Sequence, residues 1–332
     1  MKIKKDKIFI VAEIGNNHEG KLSNAYKLIK KAKESGVDAV KFQTYDVKKY
    51  YSKDIDKKRI KQLNKFQLSH SNIIKLSNFA KKLGLIFFST PFDIESAIFL
   101  NKVQNIFKIS SGDNDFFKLI EKVLTFNKSI IISTGMLSFK EIRMLYNFIL
   151  KKKFKGQISF LHCVSSYPVP NKELNLNAIK FLKKKLPKCI IGYSDHSNSI
   201  ESCVLAASLG ANIIEKHFTL DKNFSSFRDH KLSATPIEMK KLVDTIRNLD
   251  QILGKEQKII QKSEKNGLIS SRRSIVSNKN LIRKSKIKSS DILYVRPRIK
   301  FSITDEKKII GKTITSNMKY GEFFKRKNLS NK

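Results

Sequence analysis

The chain has little cysteine, no apolar run of bilayer length and a shortage of acidic residues. Its three cysteines, Cys163, Cys189 and Cys203, lie inside apolar runs with no CxxC spacing. That excludes a disulfide framework and a cysteine-based zinc site, and fits a reducing compartment. No apolar stretch approaches the roughly 20 residues that span a bilayer. After the basic stretch Met1 to Lys7 only Ile8 to Ala12 is apolar, too short for the core of a signal peptide. A soluble, cytoplasmic protein without a membrane partner is the expectation. Asp and Glu number 29 against 67 Lys and Arg, a net charge of +38. By itself that charge points to a polyanion such as nucleic acid. The excess is mostly Lys, however, spread along every predicted helix among many Ile and Asn, which marks a compositional bias and not a binding face. No nucleic-acid partner is expected, and a polyanion-binding protein stands as the alternative from another class. The runs Lys151-Lys152-Lys153 and Lys183-Lys184-Lys185 fit solvated helix ends, where cations favour the helix dipole.

What is there is a repeat of strand-length apolar runs and longer segments of helical period, the mark of βα units and a parallel sheet. The runs are Ile8 to Ala12, Ala39 to Phe42, Leu85 to Phe88, Asn105 to Ile109, Ser129 to Ile132, Ile158 to Leu161, Cys189 to Tyr193 and Asn212 to Ile214. Helices are predicted at about Leu22 to Ser35, Ser71 to Leu83 and Pro236 to Leu253, and Ser138 is a plausible N-cap. Eight such units in about 250 residues predict a (β/α)8 TIM barrel over residues 1–254. A polar excursion from Tyr45 to Lys65 is long for a βα loop, and such loops are commonly functional. Residues 255–271 read as a linker. From 272 to 332 come short β-like pieces, Ser274 to Ser277, Ile292 to Val295 and Lys308 to Gly311, with a turn at Tyr320 to Glu322. They predict a small β-rich domain that packs on something else.

In a barrel of this kind the chemistry sits at the C-terminal strand ends. Those ends carry Glu13, Lys41, Gln43, Thr90, Lys108, Ser110, Ser111, Ser133, Ser194, His196, Glu215 and His217. Charged groups beside apolar runs cost several kcal/mol unless paired or used. Lys41 and Lys108 among short hydroxyl donors suit an anion, phosphate plus carboxylate. His196 and His217, as neutral imidazoles on neighbouring strands, suit one divalent transition metal or one anionic ligand. Glu13, Glu215 and Asp229 suit proton transfer or the orientation of hydroxyls. Condensation of an enol phosphate with an aldehyde fits this set, as do aldolase and phosphatase chemistries. His162 reads as a hydrogen-bonded core residue, His18 as a cap on its own turn, and His70 as a surface or helix-start residue.

Several stretches together carry a family. They are Ala12-Glu13-Ile14-Gly15-Asn16-Asn17-His18-Glu19-Gly20, Val40-Lys41-Phe42-Gln43, Ser89-Thr90-Pro91-Phe92 and Lys108-Ile109-Ser110-Ser111-Gly112-Asp113. Then follow Ser133-Thr134-Gly135-Met136, Cys163-Val164-Ser165-Ser166-Tyr167-Pro168, Tyr193-Ser194-Asp195-His196 and Glu215-Lys216-His217-Phe218-Thr219. In this order they resemble the bacterial sialic acid synthases, and the tail resembles the antifreeze-like (SAF) domain of those enzymes. The resemblance implies condensation of phosphoenolpyruvate with an N-acetylmannosamine-type sugar to a nonulosonic acid and phosphate. The segment Phe227 to Ser233 resembles neuraminate and legionaminate enzymes more than pseudaminate ones, and N-acetylneuraminate synthesis comes first. The 2,4-diacetamido-6-deoxy sugar of N,N'-diacetyllegionaminate synthesis comes second.

The same resemblance implies that His196 and His217 bind a metal, Mn2+ or alternatively Mg2+ or Co2+. It implies that Lys41, Lys108, Ser111, Ser133 and Ser194 hold phosphoenolpyruvate. Glu13, Gln43, Thr90, Ser165, Tyr167, Glu215 and Asp229 would orient sugar and catalytic water, and Arg296 would reach the active site of a partner in a domain-swapped homodimer. Two positions depart from the family pattern. Ser165 replaces an Asn, and Arg298-Ile299-Lys300 replaces a Gly-rich turn after Arg296-Pro297.

Overall fold

The computed structural model describes residues 2–4 and 7–331. Met1, Lys5 and Asp6 of the basic N-terminal stretch, and Lys332 at the end of the expected small domain, lie outside the described residues. The chain divides into two compact units, Met1–Gly254 and Lys255–Lys332, each considered by itself.

The first unit is built on eight parallel strands: β1 (Phe9–Gly15), β2 (Ala39–Thr44), β3 (Ile86–Pro91), β4 (Ile106–Ile109), β5 (Ser129–Ser133), β6 (Ile158–Cys163), β7 (Ile190–Asp195) and β8 (Ile213–His217). They pair in the order β3-β2-β1-β8-β7-β6-β5-β4. The end strands β3 and β4 lie side by side, and Gln104 spans them. Its Oε1 accepts from the Ser89 amide at 2.6 Å and its Nε2 donates to the Ser89 carbonyl at 3.0 Å. A side chain thus satisfies backbone groups that lack a strand neighbour, as burial demands. The result is a nearly closed α/β barrel of the expected (β/α)8 type. Helices cover it, among them Leu22–Glu34, His70–Lys82, Phe139–Lys151 and Pro236–Arg247. Ser138 and Thr235 start two of them with capping boxes. The last expected helix stops at Arg247, and a short second helix, Leu249–Leu253, follows. Among the described residues no helix is long and apolar enough to cross a membrane.

Successive side chains of a strand point to opposite faces. Ile10, Ala12, Val40 and Phe42 therefore join the large core between strands and helices. Phe9, Val11, Ala39, Phe88, Ile106, Ile131, Leu161, Ile190 and Ile213 form the inner core, with Ile3 added from the N-terminal stretch. Counting on in twos from that inner set reaches Glu13, Lys41, Thr90, Lys108, Ser133, Cys163, Ser194 and Glu215, all of which line one cavity. The barrel interior is thus apolar below and polar above.

The strands also run further than apolar content suggests. The expected ends at Ala12, Phe42, Phe88, Leu161, Tyr193 and Ile214 become Gly15, Thr44, Pro91, Cys163, Asp195 and His217. The polar tips remain in the ladder, with Glu13 opposite Lys41 and His217, and Ser194 opposite Glu215. Loss of hydrophobicity marks the top of the core, whereas the end of hydrogen bonding marks the end of the strand. The excursion after β2 is itself ordered as helices Val47–Tyr50 and Lys57–Phe66, capped by Asp46 and Asp56. It has its own small core of Tyr45, Val47 and Leu63, with Tyr50 and Phe92 packed against it.

In the second unit β9 (Ser274–Ser277) pairs antiparallel with β10 (Ile292–Val295), and β11 (Thr313–Ile314) with β12 (Leu329–Ser330). Its core holds Ile275, Leu281, Ile287, Ile292, Ile309, Ile314, Met318 and Phe324. The expected β-like piece Lys308 to Gly311 is no strand: a 3-10 segment, Ile303–Lys308, leads to Gly311 at φ +80°. Part of the stretch read as a linker joins this unit, since the Arg298 amide donates to the Ile269 carbonyl at 2.9 Å.

Burial of His18 has a consequence for stability. Its Nδ1 accepts from the Gly20 amide at 2.9 Å, so it does cap its own turn. Burial pushes its pKa down from 6.5 to about 4. Below pH 6.5 the unfolded chain binds the proton that the folded chain refuses, so stability falls as pH drops from about 6.5 to about 4, by up to about 3 kcal/mol. His18→Gln is expected to flatten the acid side of a urea-denaturation stability profile. An unchanged slope in that window would refute the assignment.

Candidate active site

The cavity at the C-terminal ends of the barrel strands has a volume of about 410 Å³, within the usual range for small-ligand sites. Its floor is a chain of four charged groups. Lys41 Nζ lies 3.3 Å from Glu13 Oε2 and 3.2 Å from Glu215 Oε2, and Lys108 Nζ lies 3.4 Å from Glu215 Oε1. All four groups are nearly inaccessible to solvent. Lys108 also donates to Ser133 Oγ at 2.7 Å, and Ser194 Oγ to Glu215 Oε1 at 2.8 Å. Gln43 extends the chain outward, donating to Glu13 Oε1 at 3.3 Å and accepting from Asn16 at 2.8 Å.

This environment drives the two carboxyls apart. Burial raises Glu13, and the Glu215 charge adds to the rise against the pull of Lys41. Burial alone would raise Glu215 too, but Lys108 and Lys41 together hold it well below the usual carboxylate range. Lys108 is lowered by its burial, while the two glutamates raise Lys41 against the same penalty. One carboxyl is thus set to carry a proton and the other to stay ionised, a division typical of acid–base sites.

Beside this charged floor stand His196 and His217, their ring centroids 5.4 Å apart. His196 Nδ1 is 2.9 Å from the Val164 carbonyl. Because a carbonyl only accepts, Nδ1 carries a proton, and Nε2 keeps its lone pair whenever the ring is neutral; against its burial, Cys163 and the Val164 carbonyl raise His196. His217 Nδ1 is buried without a hydrogen-bond partner among the described residues. Burial, helped by His196 and Lys41, pushes His217 far down, so it is a neutral imidazole. A backbone-oriented imidazole and an unpartnered one fit a divalent metal ion. Among the described residues no group of three or more His, Cys, Asp and Glu could hold such an ion. A metal held by His196 and His217 would have two protein donors and open positions for substrate or water. Tyr167 packs against His196 with centroids 4.1 Å apart.

The remaining expected residues, Thr90, Ser111, Ser165 and Asp229, line the same cavity. Thr90 Oγ1, Ser165 Oγ and Asp229 Oδ1 are buried there without hydrogen-bond partners among the described residues. Arg296 belongs to the second unit, where it is exposed. His162 is a core residue, with Nε2 2.8 Å from the Leu174 carbonyl. His70 begins a helix and stacks on Phe99. Asp195 and Lys216 alternate with the inward residues and face the other way. Their ion pair, at 2.5 Å, is sealed on the outer side of β7 and β8, where Tyr193, Ser197 and Ser202 also bond Asp195.

Sequence reasoning missed Cys163, Tyr50, Arg59 and Arg228, which also line the cavity. Cys163 was legible, being two residues beyond inward Leu161; its Sγ accepts from Ser111 Oγ at 3.5 Å. Tyr50 and Arg59 arrive on the folded excursion, and no periodicity announces them.

Residues 28–258 match the NeuB family. The N,N'-diacetyllegionaminic acid synthase of Campylobacter jejuni is 37% identical over 333 residues, covering 96% of this chain and 99% of that protein. The pseudaminic acid synthase of the same organism is 33% identical over 96% of each chain. The solved N-acetylneuraminic acid (sialic acid) synthetase of Leptospira borgpetersenii superposes with a TM-score of 0.73 at 35% identity, covering 80% of this chain and 91% of that one. With the family matched over well more than half of its length, the chain belongs to the NeuB family and is an enzyme of the synthase type.

Proposed function

We propose that this enzyme condenses phosphoenolpyruvate with an N-acetylmannosamine-type sugar, giving a nonulosonic acid and inorganic phosphate. The observation that carries the reading is the pair Lys41 and Lys108, both buried and both facing Glu215 beside His196 and the neutral His217. With Glu13 protonated, this floor is net positive and invites an anion. Lys41, Lys108, Ser111, Ser133 and Ser194 hold the phosphate and carboxylate of phosphoenolpyruvate. Its enol C3 attacks the sugar aldehyde, water adds at C2, and phosphate leaves as the C–O bond breaks. Mn2+, or alternatively Mg2+ or Co2+, held by His196 and His217, would supply Lewis-acid polarisation of the aldehyde. Glu13 and Glu215 move the protons that these steps require, while Gln43, Thr90, Ser165, Tyr167 and Asp229 orient the sugar.

The segment Phe227 to Ser233 resembles neuraminate and legionaminate enzymes more than pseudaminate ones, and N-acetylmannosamine, which leads to N-acetylneuraminate, stands first. A second reading, 2,4-diacetamido-2,4,6-trideoxymannose, is favoured by the name of the C. jejuni relative matched along nearly its whole length. Phosphate release with Mn2+, phosphoenolpyruvate and each sugar in turn tests both; no release with any mannosamine-type sugar would sink the function.

Residues 272–332 are read here as an antifreeze-like SAF domain whose Arg296 enters the active site of a second subunit in a domain-swapped homodimer. Arg296→Ala is expected to lower turnover at least tenfold, about the worth of one charged hydrogen bond, without unfolding the barrel. Mixing it with His217→Ala should restore part of the activity. Heterodimers that form and stay inactive would refute action across subunits.

A further inference from the structure

The cavity has a deep end and a mouth. Tyr50 and Arg59 from the excursion after β2 wall the mouth, together with Phe92, Asp113, Arg228 and Asp229. With the enol phosphate on the lysines and the aldehyde at the histidines, the sugar carbons farthest from the aldehyde point to this mouth. The inference rests on that reading of the function.

Arg59 lies on helix Lys57–Phe66 and donates to Gln62 at 2.5 Å. It forms no ion pair among the described residues. Arg228 holds its Nε 3.5 Å from Asp229 Oδ1 and its Cζ 4.9 Å from the Tyr167 ring centre, yet its side chain is 65% exposed. Asp229 Oδ1 is buried and accepts no hydrogen bond among the described residues. The Tyr50 and Phe92 rings lie 4.6 Å apart and supply an apolar wall.

A secondary amide matches this set. Its carbonyl accepts from a guanidinium, its N–H donates to a carboxylate, and its methyl packs on aromatic rings. A phosphate matches it poorly, because Asp113 and Asp229 at the same mouth repel a second anion. We propose that Arg59 and Arg228, with Asp229, form a subsite for an acylamino group on the far carbons of the sugar. The subsite makes the enzyme prefer a sugar with an amide there over one with a hydroxyl, which reverses the order of the two sugars that the family resemblance suggests.

The experiment compares kcat/KM for 2,4-diacetamido-2,4,6-trideoxymannose and N-acetylmannosamine in the wild type, Arg59→Gln and Arg228→Gln. The wild type should favour the diacetamido sugar. Each variant should lower the ratio of the two values about tenfold or more, the worth of a hydrogen bond to a charged group. The change should fall on KM for the sugar more than on KM for phosphoenolpyruvate, and thermal melts establish that each variant is folded. A wild-type preference for N-acetylmannosamine overturns the proposal, as does an equal loss with both sugars. A loss confined to N-acetylmannosamine 6-phosphate overturns it in favour of an anion subsite. Wild-type protein that releases phosphate with neither sugar fails the functional reading itself, whereas an active wild type whose ratio the variants leave unaltered fails this proposal alone.

Discussion

Glu215→Gln is expected to destabilise the barrel by about 3–5 kcal/mol, the cost of breaking a buried ion pair from one side, and to make its stability depend on added anion. Glu215 lies within 3.4 Å of both Lys41 and Lys108 and accepts from Ser194. Removing its charge leaves two buried ammonium groups facing Glu13, which burial already biases toward its neutral form. Inorganic phosphate or phosphoenolpyruvate would replace the missing charge, and a ligand that binds only the folded state stabilises it in proportion to the logarithm of its concentration. Thermal melts of wild type and variant across a phosphate series measure both effects. The variant should melt well below wild type without phosphate and close much of the gap as phosphate rises. Turnover should fall at least a hundredfold, as for loss of a proton-transfer group. Equal melting temperatures without phosphate would mean that the two lysines do not depend on Glu215.

The second large effect belongs to the histidines. His196→Ala and His217→Ala are each expected to abolish Mn2+ binding, read directly from the EPR signal of the free ion, and to lower turnover about a thousandfold or more. The two variants should differ in stability. His196 donates to the Val164 carbonyl, so its loss leaves a backbone acceptor unpaired at a cost of about 1–3 kcal/mol. His217 makes no such bond through Nδ1 among the described residues, and the alanine variant there should melt closer to wild type. Mn2+ binding unchanged in His217→Ala would remove the metal from this site.

Much of the architecture was legible because it rests on period. The alternation of apolar and helical segments located the strands, and family motifs located Glu13, Lys41, Lys108, His196, Glu215 and His217 at their ends. The strand ends were misplaced because polar residues that stay hydrogen-bonded in a ladder have no apolar signature. Glu13 and His217 are such residues. The Lys308 to Gly311 piece failed for the opposite reason, since an apolar pair beside a glycine fits a turn as well as a strand.

By itself the sequence determined the number of strands, the two-residue step at which each turns from apolar to polar inside the barrel, and the kinds of groups available there. Those follow from local geometry, which every short segment carries within it. Only the tertiary structure decided that Glu215 stands between two lysines and so ionises while Glu13 resists, and that Asp195 and Lys216 seal the outer face instead of joining the site. It also decided that Arg59 reaches the mouth. Each depends on which distant segments become neighbours when the sheet curls round, and on the desolvation that this closure imposes on every charge inside it.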